Sequence, residues 1–176
     1  MKELLIRRCQ PGDEGMLSLV GRATFLETFA GVISGQDILV HCAREHAADK
    51  YAAWLNDPAS AVWVAEVEPG RAPVGYLVLT TPDLPLADLL PGDVEVKRIY
   101  LLSRFHGGGT GRRLMDEARR HAITNGHRRL LLGVYEGNKT AIQFYEKCGF
   151  RRVGKRTFRV GETTYHDFIF ALSLNR

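Results

Sequence analysis

Four of the five residues from Gly107 to Gly111 are glycine. They stand between a strand-like segment, VEVKRIYLL, and the start of a helical pattern, TGRRLMDEARRHAIT. Glycine loses more conformational freedom on folding than any other residue, so the run is costly. In return it permits left-handed backbone and lets a ligand lie against bare main chain. A helix start adds open N–H groups and the positive end of the helix dipole, which together hold phosphates and other anions. A flexible turn with no ligand is the plainer reading of the same residues. Under either reading the chain passes from strand to helix here, which predicts an α/β domain.

Two familiar glycine loops are excluded. A Walker phosphate loop ends in Gly-Lys-Ser/Thr, but Arg112 and Arg113 follow Gly111. A dinucleotide fingerprint needs a third glycine three residues after the second. Leu114 or Arg112 stands there, depending on which glycine begins the count.

Charge favours an anion. From Lys97 to Arg129 nine Lys/Arg face only Asp116 and Glu117. That segment carries +7 and leaves −3 for the rest of a chain of net +4. A positive field centred on the glycine run steers anions toward it. A solvated helix face is the bland alternative for the arginines.

Hydrophobic patterning organises the remainder into one domain of 176 residues. LLIRRC reads as a first strand. Pro11 to Ala30 reads as a helix with Met16, Leu19, Val20, Ala23 and Leu26 on one side, broken by Gly31 to Gly35. A second helical stretch runs from Gln36 to Leu55. AVWVAEVE and VGYLVLT form a hairpin through PGRAP, and TPDLPLADLLPGD is a proline-rich loop. After the glycine run, Leu114, Met115, Ala118 and Ala122 make a helical stripe, closed by Asn125-Gly126. RRLLLGVY is a buried-type strand. NKTAIQFYEKCGF is a short helix with Asn138 as N-cap and Gly149 past its end. RRVGKRTFRV and TTYHDFIFALSL complete a mixed, mostly antiparallel sheet of about seven strands flanked by about four helices.

HGGGTGRRLM and, further on, NKTAIQFYEKCGF resemble the paired signature of the GNAT superfamily of acyl-CoA N-acyltransferases. Gly109 and Gly111 match its glycine positions; Asn138, Ala141, Phe144, Tyr145, Gly149 and Phe150 match its second motif. The strand order matches that fold from end to end. His106 departs from the pattern, which has Gln or Arg there. Within the superfamily, ATFLETF, VEVKRIYL, LGVYEGNKTAIQFYEKCGF and HDFIFALSL are similar to bacterial spermidine/spermine acetyltransferases of the PaiA type.

The resemblance implies acetyl-CoA as donor, a small-molecule primary amine as acceptor, and no metal. It implies that Ile99, Tyr100 and Leu101 bond the pantetheine arm. The amides of Gly107, Gly108, Gly109, Thr110, Gly111 and Arg112 would take the pyrophosphate, with His106 and Arg113 beside them. Asn138 would orient the thioester or pantetheine amide as well as cap its helix, and Lys147 would reach the CoA tail or stand on the surface. Tyr145 would donate to the leaving thiolate. A phenol near ~10 and a thiol near ~8.5 make full proton transfer uphill by roughly 2 kcal/mol, so hydrogen bonding to sulfur is at least as good a role. Glu95 would take the amine's proton, directly or through water, unless it is a lone exposed strand glutamate. Glu27 and Phe29 in FLETF would meet the acceptor, and for a polyamine Glu95 and Asp167 would add negative charge.

Spermidine or spermine is one acceptor; a protein N-terminus, an amino acid or a drug is another. A non-catalytic acyl-CoA-binding module is the rival from a different class. Cys9, Cys42 and Cys148 have no pairing pattern, and no stretch approaches a membrane span, so the cytoplasm is the default expectation. Cys148 sits where a helix dipole disfavours a thiolate. His41, Cys42 and His46 lack the glutamate of a helical zinc motif. The aromatics do not interleave with arginines as in single-strand nucleic-acid binders. A homodimer is expected by analogy alone.

Overall fold

The computed structural model describes residues 4–160 and 163–174. The described elements are β1 (Leu4–Arg8), α1 (Glu14–Phe29), α2 (Gly35–Glu45), α3 (Ala48–Asn56), β2 (Ala61–Val67), β3 (Ala72–Thr80) and β4 (Asp93–Leu101). After a 3-10 turn at Ser103–Phe105 come α4 (Thr110–Thr124), β5 (Arg129–Tyr135), α5 (Lys139–Lys147), β6 (Arg151–Val160) and β7 (Thr163–Ser173). The strands form one seven-stranded sheet in the order β1-β2-β3-β4-β5-β7-β6. Every pairing is antiparallel except β4 with β5. This is the mixed α/β sheet that the strand pattern predicts.

Helices cover both faces. On one face α4 and α5 pack Leu114, Met115, Ala118, Ala122 and Tyr145 against Trp63, Leu77, Val96, Leu132 and Phe170. The stripe read from the α4 sequence is therefore the buried one. On the other face α1 and α3 place Leu17, Val20 and Tyr51 over Val62, Val64, Tyr76 and Val78. Phe25, Phe29, Ile33 and Ile38 form a smaller cluster at one end of α1.

Two expectations change. The buried side of α1 is Leu17, Ser18, Val20, Gly21, Thr24, Phe25 and Phe29. Leu19 and Leu26, expected inside, are 64% and 53% exposed. The buried stripe contains small and hydroxyl residues, which a count of apolar residues passes over. Gly21 is there for space: a Cβ would lie 2.1 Å from the Tyr51 hydroxyl and 2.5 Å from His46 Nδ1. The stretch from Gln36 to Leu55 is also two helices, broken at His46 and Ala47. His46 is 1% exposed. Its carbonyl accepts from Ser18 Oγ at 2.6 Å and its Nδ1 lies 2.8 Å from the Tyr51 hydroxyl. Those contacts fix the break by tertiary bonding, leaving no mark in local propensity.

Candidate active site

The sheet opens in its middle. β4 and β5 pair only from Asp93 to Glu95, opposite Arg129 to Leu131. Beyond Glu95, β4 continues along β3 while β5 follows β7, so the two strands part. The Leu102 amide donates to Val74 O across β3. Backbone direction alternates along a strand, so the amides and carbonyls of Ile99 and Leu101 turn toward the gap. Those of Tyr100 belong to the β3 ladder. Of the three residues expected to bond pantetheine through their backbone, Ile99 and Leu101 are therefore placed to do so. Tyr100 contributes its side chain on the opposite face, stacked at 6.0 Å on Tyr76.

The glycine run lies directly after this edge. Gly107 and Gly109 have φ of 80° and 79°, the left-handed region where glycine is favoured. Gly109 is the N-cap of α4 and offers no side-chain cap. The amides of Gly107, Gly108, Gly109, Thr110, Gly111 and Arg112 have no acceptor among the described residues; the first helical bond of this turn runs from Arg113 N to Gly109 O. A Cβ at Gly107, Gly108 or Gly109 would meet nothing within 4 Å. Here main-chain donors without an acceptor among the described residues stand at a helix N-terminus. His106 sends Nε2 to the Leu101 carbonyl at 2.7 Å. A carbonyl only accepts, so Nε2 carries the hydrogen and Nδ1 is the nitrogen left over. His106 thus ties the strand edge to the turn.

The two arginines fold back onto the protein. Arg112 reaches the Lys147 carbonyl at 3.2 Å and Asp116 at 3.3 Å, and Arg113 reaches the Leu4 carbonyl at 3.1 Å. Arg112 thereby joins the end of α5 to the start of α4, and the Lys147 side chain is exposed. Asn138 caps α5, its Oδ1 accepting from the Ala141 amide at 3.0 Å. The cap occupies that oxygen and leaves the Nδ2 end for another role.

Tyr145 is buried among Phe144, Phe150 and Phe170, with ring centroids 5.4, 6.0 and 6.5 Å away. Burial drives its phenol well above the usual tyrosine range, with the neighbouring Tyr100 adding to the rise. Its hydroxyl has no hydrogen-bond partner among the described residues. Glu95, on the opposite face, is 1% exposed and so is no lone surface glutamate. Its Oε2 accepts from the Asp83 amide at 3.0 Å, and Lys97 Nζ lies 3.4 Å from Oε1. Burial raises its pKa, against the lowering effect of the Asp83 amide and Lys97. The segment 81–92 covers it, with Leu84 packed on Leu131 and Ile169.

Glu27 has both carboxylate oxygens on one partner: Ser103 N at 2.8 Å and Ser103 Oγ at 2.7 Å. It fastens α1 to the 3-10 turn that leads into the glycine run. Phe29 is buried with Phe25, Ile33 and Ile38, and Phe158 and Tyr165 pack on that cluster. Asp167 is 4% exposed and bonded through Oδ2 to Arg156 Nε at 3.0 Å. Arg98, Lys97, Ser103 and Arg156 were not picked out as site residues from the sequence. Arg98 lies beneath α2 and α3, donating to the Tyr51 hydroxyl at 3.0 Å and lying 4.8 Å over Trp54. His41 and His46 are engaged elsewhere: His41 stacks on Phe25 at 4.2 Å and His46 bonds Tyr51.

A sheet parted between two parallel strands, with an anion-ready turn at the end of the first, is the framework of an acyl-CoA acyltransferase. The model of the acetyltransferase (GNAT) family matches residues 32–150, and the chain belongs to that family. An uncharacterized N-acetyltransferase of Mycobacterium tuberculosis H37Rv is 32% identical over 162 residues, which cover 92% of this chain and 98% of that one. An uncharacterized N-acetyltransferase of Lactobacillus delbrueckii subsp. lactis is 29% identical over 155 residues, 88% of each chain. Among solved structures, a PaiA N-acetyltransferase of Thermoplasma acidophilum in complex with coenzyme A superposes with a TM-score of 0.75 at 19% identity, covering 97% of this chain and 99% of that one. A putative acetyltransferase of Salmonella typhimurium with acetyl-CoA gives 0.73 at 19% identity, covering 99% and 95%. Among the described residues no helix is long and apolar enough to cross a membrane.

Proposed function

We propose that this protein moves the acetyl group of acetyl-CoA to a primary amine by direct attack, in a ternary complex without a covalent enzyme intermediate. The observation that carries this reading is the row of unpaired amides from Gly107 to Arg112 beside the opening between β4 and β5. Unpaired donors at a helix N-terminus fit a diphosphate, and glycine lets it approach the backbone. Family membership and neighbours solved with coenzyme A or acetyl-CoA support the same donor.

The donor supplies an acetyl carbonyl activated as a thioester. Ile99 and Leu101 hold the pantetheine arm by backbone bonds at the strand edge. Asn138 Nδ2 orients it from the α5 side. Tyr145 donates a hydrogen bond to the departing sulfur. Burial lifts the phenol's pKa, and the same apolar surroundings disfavour a bare thiolate, so the two stay matched.

An alkylammonium near ~10.4 is only about one-thousandth neutral at pH 7.4, a cost of roughly 4 kcal/mol that deprotonation must meet. Glu95 takes that proton through a water chain: it is buried, its pKa is raised, and it lies on the face of β4 away from α4 and α5. Glu27 is a positioning residue through Ser103. Polyamines are the first acceptors to try, because Glu95 and Asp167 add buried negative charge on that face.

Two measurements test the reading. Titration with coenzyme A should saturate below millimolar concentration, while ATP and NAD bind more weakly; preference for either control overturns the donor. Coenzyme A release should then be followed with spermidine, spermine, an amino-acid amide, a dipeptide amide and an aminoglycoside. Turnover of another amine with spermidine and spermine inert removes the polyamine acceptor. Inertness of all five removes the acceptor class.

A further inference from the structure

The ion pair between Arg156 and Asp167 differs from two other arginine–aspartate pairs of the protein. Arg129 engages both oxygens of Asp93, at 3.1 and 2.7 Å. Arg7 engages both oxygens of Asp13, each at 2.8 Å. Two parallel bonds are the ordinary way a guanidinium meets a carboxylate. Arg156 instead bonds only Oδ2, through Nε at 3.0 Å. Asp167 Oδ1 is buried and has no hydrogen-bond partner among the described residues. A carboxylate oxygen shut away from water normally finds a donor, so an unpaired one calls for an explanation.

The place suits the acceptor. Asp167 stands opposite Tyr135 of β5 and Arg156 of β6, on the sheet face that carries Glu95 and lies away from α4 and α5. Its charge acts on the Tyr100 phenol, on the far side of the opening between β4 and β5. Arg156 is built in as well. A Cβ on Gly133 would lie 2.7 Å from its Nη2, so the glycine inside β5 leaves room for the guanidinium to lie on the strand. A cation is thus fixed on one oxygen of Asp167 while the other is left unpaired among the described residues.

We propose that Asp167 seats the amino group of the acceptor as an ammonium on Oδ1, with Arg156 orienting the carboxylate from Oδ2. The inference rests on the acetyl-transfer reading and deepens it by naming the residue that selects a cationic amine. An ammonium has three donors and no acceptor, the complement of an open carboxylate oxygen. Arg156 shares the same carboxylate, so it competes with the incoming cation as well as holding its partner in place.

The test compares Asp167→Asn with Arg156→Gln, using the fastest amine of the panel above. Asp167→Asn should raise the KM for the amine by about tenfold or more, as loss of a buried charged partner does, while coenzyme A affinity stays within about twofold. Arg156→Gln removes the orienting partner but keeps the charge on Asp167, so it should raise the amine KM clearly less than Asp167→Asn does. If Asp167 serves only to pair with Arg156, the two variants raise KM alike, and that result overturns the proposal. An amine KM unmoved by Asp167→Asn overturns it too. Should Asp167→Asn lose coenzyme A binding through misfolding, Asp167→Glu keeps the charge and the arginine partner but displaces the oxygens by a methylene. A raised amine KM there supports the proposal and an unchanged one refutes it. Wild-type protein that binds coenzyme A and turns over no amine refutes the acetyl-transfer reading and this inference with it. Matching variants in an active enzyme refute the inference alone.

Discussion

Tyr145 shows how one residue serves packing and chemistry together. Its ring fills the core between Phe144, Phe150 and Phe170. Its hydroxyl has no hydrogen-bond partner among the described residues, which leaves the O–H free to donate to a ligand. Tyr145→Phe keeps the ring and removes that group. We expect kcat to fall by roughly 10- to 100-fold, as when a single donor to developing charge is lost. Coenzyme A affinity should stay within a factor of two or so, since the phosphates are held elsewhere. Stopped-flow coenzyme A release beside equilibrium titration checks both numbers, and an unchanged kcat removes Tyr145 from the chemistry.

At the level of elements, the site is made by two departures from regular structure: strands β4 and β5 part, and the turn before α4 is left-handed at Gly107 and Gly109. The first frees the backbone of Ile99 and the amide of Leu101; the second frames the open amides of the turn. Gly109→Val should disturb that turn without filling any space, since a Cβ there meets nothing within 4 Å. Left-handed backbone costs an L-residue about 1–2 kcal/mol. Refuge in another conformation would turn the amides away, so coenzyme A affinity should fall about tenfold or more. Gly12→Val supplies the comparison: its φ is 107°, it also has open space, and it lies far along the chain. That variant should lose stability and keep its affinity. Equal affinity loss in both would show that strain, and not the open amides, accounts for the effect.

At the scale of the molecule, buried ionisable groups link folding to pH. His46 is buried beside Arg98, and desolvation, followed by that positive charge, holds its pKa down to about 2. Below about pH 6.5 the unfolded chain binds a proton that the folded chain refuses, so stability falls as pH drops. His41 and His121 are lowered by burial too and act in the same sense. Glu95 and Asp167, raised by burial, act in the opposite sense. The effect of His46 falls between pH 6.5 and 5. His46 alone should remove about 1.4 kcal/mol of stability per pH unit there. Urea denaturation at several pH values reads this directly. His46→Gln should flatten the slope in that window, and an unaltered slope would show that His46 takes up a proton in the folded state.

Local patterning was enough for much of this fold. Alternation and glycine placement marked all seven strands, the α4 stripe, the Asn138 cap and the turn at Gly107 to Gly111, because each depends on residues close in the chain. The open amides were legible for the same reason: a run of glycines before a helix leaves donors with no local acceptor. What local pattern missed came from long-range contact. The buried side of α1 is set by Tyr51 and His46 pressing on Gly21, so Leu19 and Leu26 lie outside although they look like core. The break between α2 and α3 is held by Ser18 and Tyr51. Glu27, which looked like a ligand for an amine, is joined to Ser103, 76 positions away. The pairing of Arg156 with Asp167 depends on Gly133, on another strand, leaving room for the guanidinium. Backbone geometry is governed by neighbours in sequence, whereas burial and charge pairing depend on what the folded sheet brings together, and only the three-dimensional structure contains that information.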